Sequence, residues 1–111
     1  MYFMVQYLRH RVILSQAGKY TMMYPYLTLA DDTEVVHSEW LADNRVKVYI
    51  ETPDEKDGFH HATCYLPVYQ WEDVFGYTEQ EMAFYKELVK NNAHLIIEFS
   101  HRGDYKDASG F

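Results

Sequence analysis

Three groupings of side chains in this sequence have the types to do chemistry. His60, His61 and Cys64 are metal-ligand types within five positions. A strand sends neighbouring side chains to opposite faces, so His60 and His61 cannot share an ion. His60 and Cys64 share a face but stand roughly 13 Å apart along it, whereas zinc ligands sit ~2.0–2.3 Å from the metal. Cys64 paired with His37, His61, His94 or His101 would be a thiol nucleophile with its base. Nucleophilic cysteines occupy helix starts or electropositive pockets, and Cys64 falls mid-strand in the most acidic part of the chain. Glu51, Asp54, Glu55 and Asp57 ahead of Gly58 sketch a calcium loop. An EF-hand with Gly58 at its sixth place requires an acid where Pro53 stands and a glutamate where Cys64 stands. No GxGxxG, P-loop, GxSxG or HExxH pattern occurs. The residues therefore predict no metal, no cofactor and no catalytic set, and a protein that binds rather than catalyses.

The charge map indicates what it would bind. Net charge is −7, with 10 Lys and Arg against 17 Asp and Glu. Residues 1–30 contain Arg9, Arg11 and Lys19 and no acid, whereas residues 31–81 hold 13 acids against Arg45, Lys47 and Lys56, a local −10. Residues 82–111 balance to zero. Phosphate recognition needs clustered Lys and Arg, so direct nucleic-acid binding is not expected. No apolar run is long enough to span a bilayer. The apolar start Met1–Leu8 is followed at once by Arg9-His10-Arg11, the reverse of a secretory signal's charge order. With a single cysteine, which cannot form an internal disulfide, this predicts the reducing cytoplasm.

These residues must be positioned by one domain, since 111 residues suffice for a single layered core. The clearest element is a helix over about 79–101. Thr78-Glu79-Gln80-Glu81 fits a capping box, and Tyr77 and Met82 occupy the staple positions. Met82, Tyr85, Leu88, Val89, Ala93, Leu95, Ile96 and Phe99 then recur in steps of three and four. Gly103 follows as a C-cap, leaving 101–111 as a tail. The competing reading stops the helix at Asn91-Asn92 and makes 94–100 a strand. Ahead of the helix, four strands are expected: Tyr20–Leu29, an edge or broken near Pro25; Glu34–Leu41; Arg45–Thr52; and Phe59–Leu66. Val46, Val48 and Ile50 alternate with Lys47, Tyr49 and Glu51, the pattern of a half-buried strand. Asp31-Asp32, Ala42-Asp43-Asn44 and Pro53–Gly58 turn the chain between them. Val5, Leu8, Val12 and Ile13 sit at helical spacing with Gly18 as a cap, favouring an N-terminal helix, although Val12-Ile13-Leu14 also suits a strand. Residues 68–76 read as an aromatic connection, with Trp71 and Phe75 plugging the gap between sheet and helix. The expected class is α+β: an antiparallel meander of about four strands against one long C-terminal helix.

Within the acidic segment, acids alternate with aromatics at Glu39 and Trp40, at Tyr49 and Glu51, and at Tyr69, Trp71, Glu72 and Asp73. Tyr and Trp are enriched at interfaces, and an acidic aromatic surface suits a basic partner steered to it by charge. These eight residues are the expected surface, and the expected partner is a basic protein surface or a second copy of the chain. The alternative is a small-ligand site or small enzyme with a pocket between sheet and helix, lined by Tyr65, Trp71, His61 and acids.

Overall fold

A computed structural model of the chain describes residues 3–8, 11–16 and 19–102, with side chains from Met22 onward. Seven strands and one helix follow in order: β1 (Phe3–Leu8), β2 (Arg11–Gln16), β3 (Lys19–Thr28), β4 (Glu34–His37), β5 (Val46–Asp54), β6 (Gly58–Leu66), β7 (Gln70–Phe75) and α1 (Glu79–Arg102). Each strand pairs antiparallel with its sequence neighbour, so spatial order equals chain order. The α+β meander with a long C-terminal helix is thus as expected, and the strands outnumber the four read from the sequence.

The N-terminal segment corrects the helical reading, because residues 3–8 and 11–16 are strands. The β-branched run through Val12 and Ile13 decides against helix, since such side chains lose rotamer freedom there and pack well on a pleated surface. The Gly18 cap and the Gly103 cap lie outside the described residues. β3 serves two partners in succession: Val12↔Met23 is the last pair of its first half with β2, and Tyr24↔His37 the first pair of its second half with β4. The ladder to β4 shifts register between Pro25 and Leu27. A proline has no N–H to give a ladder, so the irregularity falls beside Pro25, while β3 itself runs unbroken from Lys19 to Thr28. β4 stops at His37, short of the expected Leu41. Ser38 Oγ, donating to the Glu39 carbonyl at 2.8 Å, accepts the Lys47 N–H at 2.9 Å instead.

The turns follow their residue chemistry. Asn44 has φ 64°, the left-handed conformation that asparagine tolerates. In the β5–β6 turn, Asp54 Oδ2 accepts the Lys56 and Asp57 N–H groups at 3.0 and 2.8 Å, and Gly58 closes it at φ 81°. The capping box forms as read: Thr78 N–H donates to Glu81 Oε1 at 2.8 Å, and Glu81 N–H to Thr78 Oγ1 at 3.1 Å.

α1 runs unbroken through residues 94–100, which settles the helix against the strand there. It buries Met82, Tyr85, Val89, Ala93, Ile96 and Ser100, spaced by threes and fours. Leu95, expected on that face, is exposed. The buried face packs on Val35, Val46, Val48, Ile50, Ala62, Cys64 and Leu66 of the sheet, with Trp71 and Tyr77 at the margin. Each fully buried aliphatic side chain contributes roughly 1.5–3 kcal/mol, so this layer dominates the fold's stability. Among the described residues no helix is long and apolar enough to cross a membrane.

β5 departs from the half-buried reading. The register places Tyr49 beside Val36 and Thr63, on the face away from the helix. Tyr49 is nonetheless 0% exposed and Glu51 7%. As a central strand β5 is flanked by β4 and β6, and its polar atoms on this face can be buried because they bond one another.

Candidate binding surface

The groups with chemical potential are each engaged structurally. Cys64 lies in the aliphatic layer under α1, and burial pushes its thiol up to about 12; it is not a thiolate at neutral pH. His60 and His61 point to opposite faces, as strand geometry requires: His60 pairs with Thr52 on the helix side, His61 with Glu51 on the other. Tyr49 Oη donates to Glu51 Oε1 at 2.7 Å. Burial raises the Glu51 carboxyl above its ordinary range despite that bond, and raises the Tyr49 phenol as well. The Tyr49 ring stacks on His61, and His61 on Phe75, at 6.2 and 5.4 Å between centroids. Burial holds His61 below its usual range, while its Nδ1 bonds the Asp73 carbonyl at 2.9 Å. Thr63 Oγ1, next to Tyr49 in register, is buried with no hydrogen-bond partner.

The structure also brings together a set that sequence reading missed. Asp54, Asp57 and His60 place their ligand-type atoms within 4.8 Å of one another, a nitrogen-and-two-oxygen set that could take a cation. His60 Nε2 is 3.0 Å from Asp57 Oδ2 and 3.5 Å from Asp54 Oδ1. A Cβ on Gly76, which has φ 89°, would stand 2.1 Å from the His60 ring, so the ring lies directly on glycine backbone. The arrangement clasps the β5–β6 turn to the entry of α1. Its sequence signal is a spacing of three and three that folds back across a hairpin.

The eight residues expected to form one surface separate into three places. Tyr49 and Glu51 are interior. Glu39 and Trp40 lie in the β4–β5 connection. Glu39 Oε2 accepts the Tyr24 hydroxyl at 2.8 Å. Trp40 stacks on His101 at 4.1 Å, and its backbone N–H donates to the Ser100 carbonyl at 3.1 Å, tying this loop to the end of α1. Tyr69, Trp71, Glu72 and Asp73 stay together on β7 and the turn before it. Tyr69 is 44% exposed, Glu72 accepts from Gln70 Nε2 at 2.9 Å, and Asp73 is exposed with φ 53°.

β7 stands where the sequence suggests a connection. Gln70–Phe75, bounded by Pro67 and Gly76 and rich in Trp, Val and Phe, carries a strand signal. What obscured it is a bulge: Glu72 pairs with Thr63 and Phe75 with His61, so Asp73 and Val74 together oppose Ala62. The bulge sends Trp71 to the helix side while Phe75, 47% exposed, lies on His61 across the sheet. Phe75 therefore does not plug the gap between sheet and helix. Nor do Tyr65, Trp71 and His61 line a common pocket there: Tyr65 and His61 share the far face, and the layer between sheet and helix is filled by the aliphatic core. Two open concavities flank the start of α1. One, of about 540 Å³, is bordered by Leu29, Asp31 and Phe84, and the other, of about 560 Å³, by Trp71, Val74, Tyr77 and Met82.

No protein-family model, no curated protein and no solved structure matches the chain.

Proposed function

We propose that this chain is a non-catalytic binding module that engages a basic protein surface through Tyr69–Asp73 and the exposed end of β7. One observation carries the reading: Tyr69, Asp73, Val74 and Phe75 are exposed along β7 and the turn before it, on the last strand of the described sheet, inside the segment of net −10. Exposed aromatic and apolar side chains next to carboxylates supply both the anchoring and the steering components of an interface. The engagement of Cys64, His60 and the Tyr49–Glu51 pair within the fold supports binding over catalysis. A cytoplasmic setting, with no cofactor and no direct nucleic-acid contact, goes with this reading.

The test is a pull-down in which recovered proteins are identified, run at ~0.05 and ~0.5 M salt with wild type and with a Glu72→Lys/Asp73→Lys variant. The expected result is a partner with a basic surface, retained by wild type at low salt, released as screening shortens the Debye length, and lost from the variant. Retention by the variant, or indifference to salt, contradicts the proposal.

A further inference from the structure

The mode of docking can be taken a step further, resting on the reading of β7 as the binding surface. β7 ends the strand order and is laddered to β6 on one side; among the described residues no strand pairs with its other side. That edge borders the groove of about 560 Å³ between β7 and the first turns of α1, whose lining is mainly apolar, from Trp71, Val74, Tyr77, Met82 and Ala83, with one charge of each sign from Glu79 and Lys86. A strand added to a sheet edge sends alternate side chains to the two faces. Along β7 the helix-side face leads into this apolar groove. The opposite face presents Glu72, with Asp73 exposed beside it at the bulge.

We infer that β7 accepts an extended partner segment in which aliphatic and basic residues alternate, the aliphatic side chains seated in the Trp71–Val74–Met82 groove and the basic ones facing Glu72 and Asp73. Charge complementarity selects this occupant over the two others at hand. A second copy pairing antiparallel through β7 would set Glu72 and Asp73 against their own counterparts, and like charges directly opposed on paired strands are destabilising. The chain's own residues 103–111 carry Asp104 and Asp107 against Lys106 alone, the wrong sign for this edge. Acids and a bulge guard a sheet edge against indiscriminate pairing. Here the same acids, beside an open apolar groove, make the edge selective for a basic strand.

The experiment is an NMR titration of the full chain, at ~0.05 M salt, with capped eight-residue peptides of alternating Lys/Val, Lys/Ser and Glu/Val. The Lys/Val peptide is expected to shift the amides of Gln70–Phe75 and the Trp71 indole saturably, and the other two to bind at least about tenfold more weakly, a difference of ~1.4 kcal/mol. Ala83→Arg, on an exposed helix position that borders the groove, should weaken the Lys/Val peptide by a similar factor without altering the fold. If Ala83→Arg leaves affinity unchanged while Glu72→Lys/Asp73→Lys abolishes it, strand addition is overturned and the acidic surface stands. If neither matters, the assignment of the surface to β7 falls as well. Absence of Lys/Val binding, or a concentration-dependent dimer broken by Ala83→Arg, overturns the inference.

Discussion

On one side of β5, Val46, Val48 and Ile50 meet the aliphatic face of α1. On the other side of the same strand, Tyr49 and Glu51 are just as deeply buried, yet the environment is polar: a hydroxyl on a carboxylate, a histidine stacked alongside and a threonine hydroxyl with no partner. The two faces teach different lessons about alternation. Apolar residues at every second position predicted the helix-packed face correctly, because nothing but burial explains them. The intervening Tyr and Glu resemble solvent-facing residues, and nothing in their own types reveals that they satisfy one another. Burying them singly would be unfavourable, whereas burying them as a hydrogen-bonded pair removes most of that penalty.

The sharpest way to break this contrast is to cut into each face. Ile50→Ala, on the helix side, should lose about 2–5 kcal/mol of unfolding free energy, from lost transfer energy plus the cavity left behind. Tyr49→Phe should cost about 1–3 kcal/mol despite preserving the ring, because it withdraws the donor from a buried carboxylate. Urea denaturation measures both. A Tyr49→Phe protein as stable as wild type would show that the polar face does not depend on the pair. Thr78→Ala, at the helix entry outside both faces, should cost about 0.5–2 kcal/mol through the lost cap.

A smaller effect appears as slopes against pH, and here the buried histidines and Glu51 oppose each other. His37, on the helix side next to Val48 in register, is held by burial below its ordinary 6.5. The unfolded chain therefore takes up a proton that the fold resists, and stability present above pH 6.5 is lost as pH falls through the lowered value. His61 acts in the same direction. Glu51 is raised above its ordinary 4.5, so the fold keeps a proton that the unfolded chain releases, and stability present below pH 4.5 is lost as pH rises through the raised value. Denaturation midpoints across this range should show Glu51→Gln removing the loss on the rising side while leaving the histidine-linked loss on the falling side. A profile identical to wild type would mean that Glu51 titrates normally in the fold.

Legibility in the sequence tracked how local each signal was. The Thr78–Glu81 cap, the helix face from Met82 to Ile96 and the Asn44 turn depend on neighbours within a few residues, and all were readable. β1 and β2 were misread because Val5, Leu8, Val12 and Ile13 satisfy a helical period by coincidence, while the pairing that makes them strands lies across a hairpin. β7 was hidden by a bulge that shifts its alternation midway. The surface suffered most: of the acid–aromatic pairs, Tyr49 and Glu51 turn inward and Trp40 braces the end of α1, which leaves Tyr69, Trp71, Glu72 and Asp73 as the group that stays together. Acidity marks only a stretch of chain, and the three-dimensional register separates Glu51, which turns inward onto Tyr49, from Glu72 and Asp73, which stay on β7.

The most direct test of this located acidity compares two variants with the same change in charge. Glu72→Lys/Asp73→Lys and Glu55→Lys/Glu87→Lys each raise the net charge from −7 by four, the first on β7 and the second on exposed positions in the β5–β6 turn and on α1. Binding of the Lys/Val peptide should fall at least about tenfold in the first variant and stay within about twofold of wild type in the second. Equal loss in both would mean that the protein attracts basic partners by net charge alone, and would contradict a binding surface on β7.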